Sequence, residues 1–405
     1  MMLGKRIFYL IFPVLIAACA TPTRELSQDE LEEAFDGYVA RYMTELGAIG
    51  EKSLQRLRLE AGESAAGNQS YDVLVLSGGG ELGAFGAGFL KGWGEIESGE
   101  FVRPEFDSVS GISTGSLIAP FAFVGTDEAY ETVLHNYRNP EQGLVVGRGT
   151  LSFLFGHEAY FDASKLYQRI RDGITPDLIR AIAAGSAQNR SLLVGATNLD
   201  YGMMRVWDLS QIAADLDEPD AIDKITTRLI ASSAIPAIFP PVKIDGFMYV
   251  DGGASMQVVG GLEDREWLYQ NQAVPEEISS LVKKPRRIRI WVVINNKLLM
   301  EPEVTSLSWS GIAGRSLASL VRASTLQTLQ DLETFSHMVN LRPEFDMQMY
   351  YVAIPQGYEI PETEFMFDPE KMRNLADLGE RMGTNAASWR QRALLPTVPM
   401  LQNQQ

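Results

Sequence analysis

One cysteine, three histidines and a shortage of positive charge set the first limits on this chain of 405 residues. A single thiol has no partner for an internal disulfide and cannot build a cysteine-based zinc site. Lys and Arg number 35 against 52 Asp and Glu, and the net charge of −17 argues against a nucleic acid or anionic surface held by clustered cations. The local exception is Lys283, Lys284, Arg286, Arg287 and Arg289, which leads into an apolar stretch at Ile290 and reads as the solvated approach to a strand. The apolar stretch Ile7 to Ile16 is broken by Pro13 and falls short of the roughly 20 residues that a spanning helix needs. What remains, 45% hydrophobic and 21% charged, is ordinary globular composition, sufficient for a real core.

The apolar stretch follows Lys5 and Arg6 and closes on Ile16-Ala17-Ala18-Cys19, the layout of a secretory signal peptide. Small residues directly before a lone cysteine resemble a bacterial lipoprotein cleavage box, in which the thiol is acylated and becomes the mature N-terminus. That resemblance implies removal of residues 1–18, export, and tethering to a cell-envelope membrane by a lipid on Cys19. Ala20 after the cysteine implies the outer membrane. A plain signal peptide with an incidental cysteine is the competing reading.

Residues 19–70 hold two helix-prone stretches, Ser27 to Leu46 and Ser53 to Glu60, and a small polar tract, Ala61 to Ser70, with linker character. From Tyr71 the texture changes. Strands are predicted at Tyr71 to Leu76, Phe106 to Ser110, Ser191 to Thr197, Phe247 to Val250, Ile288 to Ile294 and Met349 to Ile354. Helices are predicted at Ala84 to Ile96, within Gly111 to Val124, and at Ser164 to Asp172, Ala221 to Ser233, Ser316 to Val339 and Pro369 to Met382. Their alternation predicts an α/β fold, a mostly parallel sheet flanked by helices, as a single catalytic domain over 71–400 behind an N-terminal helical arm.

Two glycine-rich turns carry the chemistry. Gly78-Gly79-Gly80-Glu81-Leu82-Gly83 fits the dinucleotide fingerprint G-x-G-x-x-G between a strand and a helix. A dinucleotide fold then wants an acidic residue at the end of its second strand. This chain instead delivers Gly111-Ile112-Ser113-Thr114-Gly115, the G-x-S-x-G nucleophile elbow, in the expected strand-turn-helix setting. The flanking glycines let the backbone bend, and the helix end favours negative charge near the hydroxyl. The first loop, on the adjacent strand, can point unhindered N–H groups at the oxygen of a tetrahedral intermediate.

A serine triad needs an imidazole, and His135, His157 and His337 are in no distinctive setting. The order Ser113, Asp251, His337 nevertheless fits an α/β-hydrolase triad. Asp251 stands in Val250-Asp251-Gly252-Gly253, a carboxylate at a strand end with open space beside it. The glycine loop, the elbow, Ala231-Ser232-Ser233-Ala234-Ile235-Pro236-Ala237-Ile238-Phe239-Pro240-Pro241 and Asp251-Gly252-Gly253, in this order, resemble the patatin-like phospholipase family. The likeness runs from about Tyr71 to Gly253, with weaker echoes at Gly195 to Asp200 and around Asn374 to Gly383. It implies a two-residue catalytic pair, with Ser113 as nucleophile and Asp251 as general base. Main-chain amides of Gly78, Gly79 and Gly80 would form the oxyanion hole, with Gly83, Gly111, Gly115, Gly252 and Gly253 as motif glycines. It implies a lipid or fatty-acyl ester substrate and no metal or organic cofactor.

The chain departs from that pattern at Leu82, where the family loop commonly carries Lys or Arg. The missing cation leaves phospholipid and neutral ester as alternative substrates. Leu144 to Phe161, with Val145, Val146, Leu151, Phe153, Leu154 and Phe155, reads equally as an acyl-chain wall or lid and as core; Asp200 reads as a turn residue. Competing functions are a catalytically silent lipid- or protein-binding envelope lipoprotein on the same fold, and a dinucleotide enzyme that lacks its ribose acid.

Overall fold

The computed structural model describes residues 24, 26–63, 70–148, 159–256, 286–343, 345–363 and 365–391. Its central sheet is mixed and mostly parallel. β1 (Tyr71–Leu76), β2 (Ser108–Ile112), β5 (Ser191–Asn198), β9 (Arg286–Ile294) and β10 (Phe345–Ala353) run parallel in the order β10-β9-β1-β2-β5. β6 (Met203–Asp208) and the hairpin β7 (Val242–Ile244) and β8 (Phe247–Asp251) join antiparallel at the β5 end. A separate two-stranded ribbon pairs β3 (Val146–Gly147) with β4 (Phe161–Asp162). The alternation of strands and helices gave the parallel part. The antiparallel part was not predicted beyond Phe247 to Val250, because β6 carries Arg205 and Asp208 and β7 is only three residues long with Lys243 at its centre.

The sheet is covered on both faces, which is why β1 is buried at every position rather than alternating with polar residues. Leu74 and Leu76 face one layer; Tyr71, Val73 and Val75 face the other. The first layer contains α2 (Gly83–Trp93), α3 (Thr114–Val124), α4 (Asp127–Arg138), α6 (Pro176–Ser186), α7 (Leu209–Asp215), α8 (Glu218–Ser232) and α10 (Pro369–Gly383). The other layer contains α9 (Trp309–Val339), whose Leu329, Leu332, Phe335 and Val339 pack on β9 and β10. α5 (Ser164–Gly173) closes the first layer near the ribbon.

The two helical stretches read before residue 61 are one helix, α1 (Gln28–Glu63). It is docked on the sheet: Ile49 packs with Ile112, Leu193 and Val206, Lys52 binds Asp208 at 2.9 Å, and Arg56 binds Asp107 at 2.7 Å. The basic run ahead of β9 is structural where it is described. Arg289 donates to the buried Asp72 carboxylate at 2.7 and 2.9 Å, and Arg287 pairs with Asp346.

α2 and α10 approach so closely that glycine is required where they cross. A Cβ at Gly88 would lie 2.0 Å from the Ala376 carbonyl oxygen, and one at Gly379 would lie 2.0 Å from that of Phe85. Backbone atoms cannot step aside as a flexible side chain would. Gly88→Ala is therefore expected to lower stability by about 1–3 kcal/mol or more in urea unfolding. Gly314→Ala, on the open face of α9 with nothing within 4 Å, should raise it by about 0.5–1 kcal/mol. A neutral Gly88→Ala would mean the helices can separate freely.

Candidate active site

Ser113 and Asp251 meet because of how one edge of β5 is shared. β2 pairs with β5 over Ser191 to Gly195 and ends at Ile112, opposite Gly195. β8 runs the other way and pairs with Ala196 to Asn198 of β5, ending with Asp251 opposite Ala196. β6 spans Leu193 to Asn198 and so takes the opposite edge. The carboxyl ends of β2 and β8 therefore point at one another along the same edge, and the next residue of one faces the last residue of the other. A Cβ at Gly252 would touch the Gly195 carbonyl oxygen at 2.7 Å and Ile112 at 3.0 Å.

At this junction the Ser113 side chain lies beside the Asp251 carboxylate, close enough to favour its ionised form. Both residues are buried. Ser113 takes φ 54 and ψ −126 at the N-terminus of α3, a left-handed backbone that a side chain rarely adopts. Tertiary bonds hold it there. Its N–H donates to Ser232 Oγ at 3.0 Å, and Ser232 Oγ donates to the Gly195 carbonyl at 2.7 Å. Gly115 must be glycine, since a Cβ there would lie 2.3 Å from the Leu76 carbonyl oxygen. Gly111 has the same constraint against Gly115 itself.

Asp251 is pinned through its main chain, its N–H donating to Ala234 O at 2.8 Å and its carbonyl accepting from Thr197 Oγ1 at 3.0 Å. The Gly253 N–H donates to Oδ1 at 2.8 Å. Burial pushes the Asp251 carboxyl up to about 6 from 3.8, against the smaller opposing pull of Ser113 and of the Gly253 N–H. The carboxylate is thus a stronger base than a free aspartate, yet still ionised at neutral pH.

The glycine loop leaves β1 alongside the elbow, as the pairing of Leu76 with Gly111 requires. Gly78 is buried, while Gly79 and Gly80 are partly open. Gly80 holds φ 57 and lines a cavity together with Ser113. Gly83 opens α2 against Thr114. Glu81 turns away: it pairs with Lys371 at 2.6 Å and accepts the Phe367 N–H at 2.6 Å. Leu82 packs against the core.

The cavity has a volume of about 130 Å³, roughly ten times what one water requires. Leu117, Phe121, Val133, Leu166, Ile170 and Phe239 are among its walls, which makes it strongly apolar. Of the stretch Leu144 to Phe161, Leu144 is a wall residue and Val146 is exposed; Leu151, Phe153, Leu154 and Phe155 lie outside the described residues.

Sequence reading missed the residues that brace the site. Ser232, Thr197 and Tyr137, which hydrogen-bonds Thr114, act through the fold; Ser232 and Thr197 lay in stretches that drew notice, and Tyr137 did not. Neither described histidine enters the site. His135 is exposed on α4, and His157 lies outside the described residues. His337 is exposed near the end of α9, which leads into the start of β10, so it stands at the amino edge of the parallel strands while Ser113 stands at the carboxyl edge. Asp200 ties down a turn, accepting the Met248 N–H at 2.8 Å and pairing with Arg24. Cys19 and the signal-like segment lie outside the described residues, among which no helix is long and apolar enough to cross a membrane.

The buried charge has a measurable cost. A carboxyl whose folded-state value exceeds its unfolded one contributes most stability below the unfolded value and loses it as pH rises through about 6. The rise amounts to about 3 kcal/mol at alkaline pH. Asp251→Asn should therefore be more thermostable than the parent at pH 8, with the advantage vanishing below about pH 4. Thermal melts that differ equally at both pH values would contradict a strained, buried carboxylate.

The patatin-like phospholipase family model matches residues 74–259. Among solved structures, the crystal structure of VipD from Legionella pneumophila is 12% identical, with a TM-score of 0.36, over 80% of this chain and 68% of that one. No curated protein matches the chain.

Proposed function

From a chain whose residues 74–259 form a patatin-like phospholipase domain, we propose a serine acyl hydrolase that cleaves lipid or fatty-acyl esters. The observation that carries this reading is the meeting of Ser113 and Asp251 at the facing ends of β2 and β8, with Ser113 in the wall of an apolar cavity. Ser113 Oγ attacks the ester carbonyl and passes its proton to Asp251. The amides of Gly79 and Gly80, with Gly78 shaping the loop, hold the oxyanion until the protonated Asp251 gives its proton to the leaving alcohol. Water then enters by the same route, released carboxylic acid leaves, and Ser113 is restored. The acyl chain occupies the cavity, whose walls are mostly apolar. No step needs a metal or organic cofactor.

An aspartate is a weak base toward a hydroxyl, so its raised pKa and the preorganised amides share the work that an imidazole does in a triad. Fluorophosphonate should label the wild type, and Ser113→Ala should remove the label. Asp251→Asn should lower turnover by at least about 100-fold, while His337→Ala should leave it nearly unchanged. kcat/KM should fall tenfold per pH unit below about 6 and level off above it, since only ionised Asp251 accepts the proton. Absence of labelling in the wild type would favour the silent binding module.

We also propose that the chain is exported and anchored in a bacterial envelope membrane by a lipid on Cys19. The support is the sequence around that residue. In cells fed radiolabelled palmitate the protein should carry label, and Cys19→Ser should lose it and leave the membrane fraction. Label retained by Cys19→Ser would end the anchor reading.

A further inference from the structure

β9 ends at Ile294 beside the strand that leads into the glycine loop, and the chain leaves the sheet there. Asn295 marks the departure: its N–H donates to Ser77 Oγ at 2.9 Å, and its carbonyl oxygen lies 2.2 Å from where a Cβ of Gly79 would be. Residues 297–303 then run beside the first part of α9 in the opposite direction. Arg322 donates to the carbonyls of Lys297 and Leu299, Ser319 Oγ to Met300 Sδ at 3.3 Å, and Arg315 pairs with Glu303 at 2.8 Å. The described residues of α9 that pack on β9 and β10 begin at Leu326. About 20 Å of the helix, from Trp309 to Val321 at about 1.5 Å per residue, therefore stands out from the carboxyl edge that also holds Ser113.

The tip of this projection, between Glu303 and Trp309, is aliphatic and bare. Val304 is 98% exposed and Leu307 is 95% exposed, with Thr305, Ser306 and Ser308 between and beside them. Ile312 and Leu320 continue the exposed apolar surface along the helix. From Asn295 to Gln330 the chain carries Lys297, Arg315 and Arg322 against Glu301 and Glu303, three bases less two acids, or one net positive charge in a chain of −17. Both acids are paired, Glu301 with Lys297 and Glu303 with Arg315. Two further exposed apolar side chains lie on the same edge: Phe365, two residues from the cavity-lining Phe367, and Met256, just after the Asp251 turn. A projecting turn offers a protein partner no groove to fill. Its aliphatic pair with flanking hydroxyls instead matches the boundary between the head groups and acyl chains of a lipid layer, and its charge adds no repulsion there.

We propose that Val304 and Leu307 insert into a neutral lipid surface and so set the Ser113 edge against the layer that holds its substrate. The choice of a lipid as occupant rests on the acyl-hydrolase reading. Because the chain has one cysteine, Leu307→Cys in full-length Cys19→Ser protein is a sole thiol, which a nitrobenzoxadiazole dye can label. Phosphatidylcholine vesicles should shift its emission to the blue and raise it at least about twofold, and a nitroxide on the lipid acyl chain should quench it. Leu341→Cys, at a position 83% exposed on the amino edge before β10, should show neither effect. Val304→Asp combined with Leu307→Asp should lower hydrolysis of a vesicle-borne ester at least about tenfold while a soluble butyrate ester stays within about twofold. No response at Leu307→Cys, an equal response at Leu341→Cys, or equal losses on both esters overturns the proposal. So does a response that follows protein concentration without lipid, which assigns the tip to a second copy of the chain. If the parent hydrolyses no ester, the acyl-hydrolase reading fails by itself and the dye still decides whether the tip enters lipid.

Discussion

The active-site geometry rests on the division of one edge of β5 between two strands of opposite direction. β2 uses the first five residues and β8 the last three. Because both stop where they meet, the turn after one and the last residue of the other occupy a single small volume. A one-residue slip of β8 would carry Asp251 to the other side of the sheet, since successive side chains of a strand point to opposite faces. The bonds from Asp251 N to Ala234 and from Thr197 to the Asp251 carbonyl lock that register.

Burial makes this junction costly and its carboxylate more basic. The same desolvation that raises the Asp251 pKa makes the carboxylate a better base, and the nearby Ser113 side chain offsets part of the penalty. Strain is treated similarly. Ser113 keeps an unfavourable backbone because its amide is held by Ser232, which is itself held by Gly195, a residue of the same β5 that aligns the two strand ends. Ser113, Asp251 and Ser232 are thus all referred to one strand.

The departures from the family pattern have structural accounts. Where the glycine loop commonly has a cation, Leu82 joins the core, and Glu81 is spent on Lys371 and on the Phe367 backbone. The loop is tied to α10 through the Glu81 carboxylate rather than by a cation at position 82. α1, which reads from sequence as an N-terminal helical arm, is part of the layer that covers β2, β5 and β6.

Much of the parallel core was legible because buried strands read as short apolar runs and the elbow glycines are demanded by backbone clashes that no other residue avoids. The sequence by itself also singled out Ser113 and Asp251, the proposed nucleophile and base, since each stands in a motif whose residue types suit that chemistry. Only the tertiary structure decided which face α1 covers, that β6, β7 and β8 run antiparallel, that Ser232 and Thr197 brace the pair, and that His337 is at the wrong edge. Those outcomes depend on pairings between residues far apart in the chain, and local periodicity carries no information about a partner 50 or more residues away.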